Sequence, residues 1–213
     1  MKHITFYFDF ISPFAALAFE QLPLTLMGQS YGVTYKPILF AALLKHHGQL
    51  GPAEIMPKRD WTYRHVQWLA HSLGQEFQLP AAHPFNPISL LRLAVATNAQ
   101  GTPNRYVTET IFHHIWRGGA DATDAGRLAT LVAKLAPPRE INADDVKAQL
   151  KSNTDEALAL GLFGVPTFLV DEKAFWGVDA LPMLRDYLIG DDWFSGPAWH
   201  LAGQVPQGSI RPK

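Results

Sequence analysis

The sequence predicts an α/β fold in which a βαβ unit and a ββα unit enclose a long helical stretch. An aromatic run, Phe6-Tyr7-Phe8-Asp9-Phe10, reads as a buried strand, because flat bulky side chains suit a pleated surface covered on both faces. Roughly between residues 41 and 160 the apolar residues recur at helical spacing, interrupted by proline and glycine. The strand period then returns in Gly164–Val170 and Ala174–Trp176.

Taken in order, the first strand stops at Ser12-Pro13, a serine suited to an N-cap followed by a proline suited to the first helical position. Phe14, Leu17, Ala18 and Leu22 then mark a helix over about Pro13 to Met27. Tyr31-Gly32 reads as a turn and Val33 to Ile38 as a second strand, parallel to the first through a right-handed crossover. Gly48 to Pro52 is loop, and Pro57-Lys58 opens a helix through Trp61, Val66, Leu69 and Leu73. His83 to Pro87 is a proline-bracketed turn. Helices follow through Leu90–Val95, Val107–Ile115 and Leu128–Leu135. Asn142 reads as the cap of one more, with Asp144 and Asp145 in the first turn, where negative charge is favoured. Leu181, Leu184, Tyr187 and Leu188 give the closing helix, and residues 191–213 an irregular tail.

Composition narrows the function. The 213 residues, 47% of them hydrophobic and 17% charged, suffice for a sizeable core. A net charge of −1 gives no electrostatic reason to expect nucleic acid or an anionic membrane as a partner. No apolar run approaches a membrane span, and Met1-Lys2-His3-Ile4 lead straight into the first strand, so a cytoplasmic protein without a signal peptide is expected. There is no cysteine, which removes disulfides, thiolate metal sites and a cysteine nucleophile together. Any thiol must arrive as a ligand. The adjacent pairs His46-His47 and His113-His114 match no ligand spacing, each pair is expected to split between surface and core, and no metal is expected.

The Ser12 junction carries the chemistry. A strand, a tight turn and a helix N-terminus aim free N–H groups and the positive end of a helix dipole at one spot beside a hydroxyl, which suits a thiolate. A Ser-Pro at a helix start is by itself a cap, so the case rests on the rest of the chain. The outline holds both halves of a thioredoxin-like fold, residues 1–40 with 161–190, around an inserted helical domain, 41–160.

Phe8-Asp9-Phe10-Ile11-Ser12-Pro13-Phe14, Pro84-Phe85-Asn86, Phe163-Gly164-Val165-Pro166-Thr167-Phe168 and Trp176-Gly177-Val178-Asp179 resemble, in order and spacing, the 2-hydroxychromene-2-carboxylate isomerases and the kappa-class glutathione transferases. The resemblance covers the chain up to about Gly190 and implies a DsbA-like thioredoxin fold, glutathione as cofactor, a small aromatic substrate and a homodimer. It implies that Ser12 hydrogen-bonds the glutathione sulfur. Pro166 is expected to be cis, so that Val165 pairs with the glutathione main chain as an added strand. Trp176, Gly177, Val178 and Asp179 are expected at the γ-glutamyl end, with an N-cap as the alternative role for Asp179. Lys58 stands where kappa transferases bind the glycine carboxylate, and Lys45 near a substrate-binding lysine of the isomerases. Asn86 and Phe14 are expected to line the substrate pocket, Trp61, Phe85 and Trp116 to line it or the core. Gly48-Gln49 replaces the Gly-Asn of many relatives, and Pro87 follows Asn86.

The implied chemistry is reversible addition of the glutathione thiolate to an unsaturated ring-opened keto acid, bond rotation, then elimination. A kappa-type transferase that leaves sulfur on the product, and a non-catalytic glutathione-binding scaffold, are the alternatives. A free thiol of pKa about 8.5 is only about 3% thiolate at pH 7. A helix N-terminus with one hydroxyl donor can lower that pKa by ~2 units, or ~2.7 kcal/mol, making roughly three-quarters of it reactive. No base adjoins Ser12 in sequence, so it reads as a donor to sulfur and not as a nucleophile.

Overall fold

The computed structural model of the protein describes residues 1–206, 208 and 209. Its sheet forms around β1 (Lys2–Phe8), with strand order β2-β1-β3-β4, where β2 is Tyr31–Pro37, β3 Thr167–Val170 and β4 Lys173–Trp176. β1 and β2 are parallel, with Phe6 beside Tyr35, whereas β3 runs antiparallel to β1, with Phe6 beside Phe168. β4 returns antiparallel to β3 through a tight turn at Asp171, whose φ is 44°.

The period-2 alternation of β1 explains the layers. Ile4, Phe6 and Phe8 are fully buried on one face, joined by Phe10 from the turn that follows. There Phe6 stacks on Phe168 at 4.7 Å, and Phe8 and Phe10 meet Phe112 at 5.5 and 4.9 Å. That face is covered by α1 (Pro13–Thr25), α4 (Ile88–Ala96), α5 (Arg105–Trp116) and α8 (Leu181–Leu188). Tyr7 points the other way, into a smaller core with Leu43 of α2 (Phe40–His47) and Ala157 of α7 (Asp144–Ala159). The Tyr7 hydroxyl donates to Glu156, which also pairs with Lys36 at 2.8 Å. With helices on both sides, the sheet needs the near-continuous apolar strands seen in the sequence. The strand order and the helices between β2 and β3, which include α3 (Met56–Ser72) and α6 (Ala125–Leu135), give the thioredoxin-like arrangement with a helical insertion that the sequence predicts.

Several local expectations need correction. Tyr31-Gly32 is not a turn but the start of β2, paired with Lys2 and His3. Gly164 to Pro166 precede β3 and make no ladder pairs. The cap of α7 is Ala143, and Asn142 instead accepts a hydrogen bond from Arg92 at 3.2 Å. Residues 192–202 are not irregular: a short 3-10 turn, Asp192–Ser195, leads into α9 (Pro197–Ala202). Phe194 anchors this segment, buried against Phe175, Tyr187 and Trp199. The last part of the expected tail, residues 207 and 210–213, lies outside the described residues. No helix among the described residues is long and apolar enough to cross a membrane.

Candidate functional site

Ser12 caps α1 as its sequence suggests. Its backbone is extended (φ −86°, ψ 115°), and its Oγ accepts the Ala15 N–H at 3.2 Å. Pro13 has no N–H, so the Phe14 N–H is left without a partner among the described residues, at the positive end of the helix. The Ser12 hydroxyl hydrogen is still free to donate.

The turn in front of it is held from all sides. The Ser12 N–H donates to the Asp9 carbonyl at 3.1 Å. The Asp9 carboxylate accepts the Ile11 N–H at 3.1 Å and the Phe40 N–H at 2.9 Å, tying the turn to the start of α2. Trp116 donates its indole N–H to the Phe10 carbonyl at 3.1 Å. Burial raises the Asp9 carboxyl from 3.8 to about 7, although backbone N–H donors from Phe40, Ile11 and Phe10 pull it down. Desolvation wins because the group is enclosed and has no cationic partner.

Beside this junction runs a groove of about 520 Å³. It is lined by Phe14, Gln21 and Thr25 of α1, by His65 and Leu69 of α3 with Leu73 just beyond it, and by Val165, Pro166, residues 176–179, Leu181 and Pro182. The Val165-Pro166 bond is cis, and the Pro166 carbonyl accepts the Gly177 N–H at 2.9 Å. By contrast, neither the N–H nor the C=O of Val165 has a hydrogen-bond partner among the described residues. Gly164 is required by what packs on it, since a Cβ there would stand 2.5 Å from the Trp176 indole nitrogen, and Gly177 by its backbone, whose φ of +99° disfavours any side chain. Trp176 lies over Phe163 at 4.9 Å, and the exposed Asp179 carboxylate sits in a 3-10 turn, Val178–Ala180, leading into α8.

The structure therefore brings Phe14, Val165, Pro166, Trp176, Gly177, Val178 and Asp179 to one groove. Ser12 is not itself a lining residue: it is largely buried and precedes the lining residue Phe14 by two positions. Lys45, Lys58 and Asn86 are exposed and are not among the lining residues. Lys45 occupies the last turn of α2, where a cation is favoured by the helix dipole. Lys58 is in the first turn of α3, and Asn86 accepts the Ile88 N–H at 3.0 Å at the start of α4. Trp116 belongs to the core at 2% exposure, Phe85 packs against the core, and Trp61 is on the surface. His65, Leu69 and Leu73 were not singled out as site residues: only the helix packing turns their face toward α1.

The histidine pairs also differ from expectation. His46 and His47 are both exposed. His113 meets Glu20 at 2.7 Å while His114 meets the Ala122 carbonyl at 3.1 Å. Glu20, Glu109 and His113 bring one ligand atom each within 4.8 Å of one another, a grouping that adjacent-pair spacing does not reveal. Arg117 at 3.6 Å from Glu20 and Arg105 at 3.8 Å from Glu109 already balance these carboxylates, which makes the cluster an ion-pair network.

Over 195 residues, 88% of this chain and 98% of the relative, the sequence is 28% identical to a 2-hydroxychromene-2-carboxylate isomerase of Sphingobium xenophagum. It is 25% identical over 213 aligned positions to glutathione S-transferase kappa 1 of Rattus norvegicus, covering 90% of this chain and 92% of that one. The fold superposes on a solved 2-hydroxychromene-2-carboxylate isomerase with a TM-score of 0.74 at 22% identity, across 96% of this chain and 100% of the other. A family model described as the DSBA-like thioredoxin domain matches residues 3–189, and the chain belongs to that family.

Proposed function

We propose that the protein is a glutathione-dependent isomerase of the 2-hydroxychromene-2-carboxylate type, acting on a small unsaturated aromatic keto acid. The observation that carries this reading is Val165, whose N–H and C=O have no partner among the described residues and which lines the same groove as Phe14 in the first turn of α1. A peptide main chain can pair with such a residue as an added strand. The remaining lining fits the same tripeptide. The Asp179 carboxylate suits the ammonium of a γ-glutamyl group, and the first turn at Val178 suits its carboxylate. Lys58 is assigned the glycine carboxylate from an exposed position, and Lys45 and Asn86 the polar end of the substrate.

When bound, glutathione supplies a thiolate that adds reversibly to a conjugated double bond and is regenerated. The protein's part is electrostatic and steric. Ser12 donates a hydrogen bond to the sulfur, and the Phe14 N–H and the α1 dipole favour its anionic form. Ser12 is not itself a nucleophile, since among the described residues its hydroxyl meets no general base and accepts only the Ala15 backbone N–H. The apolar wall of Phe14, Leu69 and Leu73 receives the ring and excludes water. On this reading residues 1–40 with 161–190 hold the cofactor, the insertion 41–160 supplies the substrate wall, and the enzyme works in the cytoplasm as a homodimer. Disulfide exchange on the protein is ruled out by the absence of cysteine, so insulin reduction should stay at background.

The same residues serve a kappa-type transferase, and the fate of sulfur separates the two. With 2-hydroxychromene-2-carboxylate as substrate, free glutathione measured by chromatography should be undiminished after many turnovers. Its stoichiometric loss would overturn the isomerase reading. Millimolar glutathione should raise the melting temperature. A shift without turnover would favour a non-catalytic glutathione-binding scaffold, and no shift would overturn glutathione binding altogether.

A further inference from the structure

The groove and the Ser12 turn do not account for His83, a histidine largely withdrawn from solvent in the loop between α3 and α4. Its Nε2 lies 2.8 Å from the Ile11 carbonyl oxygen, and its Nδ1 lies 2.7 Å from the Tyr63 hydroxyl of α3. The same hydroxyl is 2.8 Å from the His83 carbonyl. The ring is boxed by Phe85 at 5.8 Å and Trp116 at 5.5 Å.

Hydrogen-bond chemistry fixes the state of this group. A carbonyl only accepts, so Nε2 carries a hydrogen in either charge state. Burial holds the imidazole below its ordinary 6.5, even though the Ile11 carbonyl favours the charged form. The neutral ring therefore has its free lone pair on Nδ1, facing the Tyr63 hydroxyl.

The place where His83 pulls matters. The Ile11–Ser12 peptide sets the φ side of Ser12, and Pro13 restricts its ψ side to the extended region. One half of the Ser12 conformation is thus dictated by covalent geometry. The other half depends on what holds the Ile11–Ser12 peptide: the Asp9 carbonyl accepts its N–H at 3.1 Å, and His83 donates to its carbonyl.

Resting on the glutathione reading above, we propose that His83, oriented by Tyr63, is a positioning residue that fixes the Ile11–Ser12 peptide and so aims the Ser12 hydroxyl and the α1 N-terminus at the thiolate. It touches neither sulfur nor substrate. A substituted enzyme should keep its glutathione affinity, which depends on Val165 and Asp179, while losing control of the thiol.

The test compares His83→Ala, His83→Gln and Tyr63→Phe with wild type, reading thiolate absorbance of bound glutathione against pH alongside affinity and melting temperature. His83→Ala should lower the thiolate-to-thiol ratio near neutrality about tenfold, one pH unit, with affinity changed less than about threefold. His83→Gln, whose amide N–H reaches the carbonyl, should recover most of that ratio, and Tyr63→Phe should fall between. Titration curves that superimpose on wild type while the melting temperature drops would overturn the proposal and leave a packing role. If His83→Ala does not fold, a Tyr63→Phe curve that superimposes on wild type would overturn it equally. In protein free of glutathione, ¹⁵N spectra at neutral pH should show His83 protonated on Nε2 and bare on Nδ1. The opposite tautomer overturns the clamp whatever glutathione does. A wild type that fails to bind glutathione overturns the functional reading, and the tautomer still decides the clamp.

Discussion

Replacing Ser12 with alanine separates the two jobs of one hydroxyl. As a cap, Oγ accepts the Ala15 N–H at 3.2 Å, a long bond in a largely buried setting, so its loss should cost about 1 kcal/mol of stability. As a donor to a thiolate, it makes a charge-assisted hydrogen bond worth roughly 1.5–3 kcal/mol, which corresponds to a rise of about one to two units in the bound thiol's pKa. Starting from a pKa near 6.5, the thiolate fraction at pH 7 would fall from roughly 76% to about 24% or about 3%. Turnover is a blunt reporter of this change. A less acidic thiol is also a better nucleophile, with a Brønsted coefficient of about 0.4–0.5, which offsets much of the lost population. The decisive assay is therefore thiolate absorbance of protein-bound glutathione titrated from pH 5 to 10 in both proteins, with thermal denaturation alongside. A displaced titration with little change in affinity is the expected result. A melting temperature that drops while the two titrations superimpose would refute the donor role and leave Ser12 as a cap.

Three further outcomes follow from the geometry. Asp9→Asn should flatten the dependence of stability on pH. The folded carboxyl is raised from 3.8 to about 7, so its contribution is complete below about pH 4 and lost as pH rises through 7, by at most ~4 kcal/mol at ~1.36 kcal/mol per unit; denaturant melts at pH 5 and 8 measure the difference, and an unchanged slope would count against a buried protonated Asp9. Asp179→Asn changes an exposed side chain, so stability should hold within about 0.5 kcal/mol while glutathione affinity falls about tenfold by calorimetry; equal affinity would remove Asp179 from the site. Gly164→Ala places a methyl 2.5 Å from the Trp176 indole nitrogen and must displace that ring, so Trp emission should shift and glutathione affinity should drop by about tenfold or more, and an unaltered spectrum would contradict the packing described.

The sequence by itself determined the order of the four strands and the cap and proline that start α1 at Ser12. Those features are written in local patterns: an unbroken aromatic run at Phe6-Tyr7-Phe8, a cap followed by proline at Ser12-Pro13, helical spacing after it, and the absence of any cysteine. Local patterns also misled where burial comes from distant partners. Residues 192–202 looked irregular because a short aromatic cluster has no period, yet Phe194 is buried by Phe175 and Tyr187. Asn142 looked like a cap because the rule considers only its own helix, whereas Arg92 claims its side chain. Only the tertiary structure decided which face of α3 meets α1, and hence that His65, Leu69 and Leu73 line the groove while Lys58 and Asn86 do not. It alone brought His83 and Trp116 onto the carbonyls of Ile11 and Phe10. These contacts join residues 72 and 106 positions apart along the chain, and no spacing rule reaches that far, because they are set by how helices pack across a sheet.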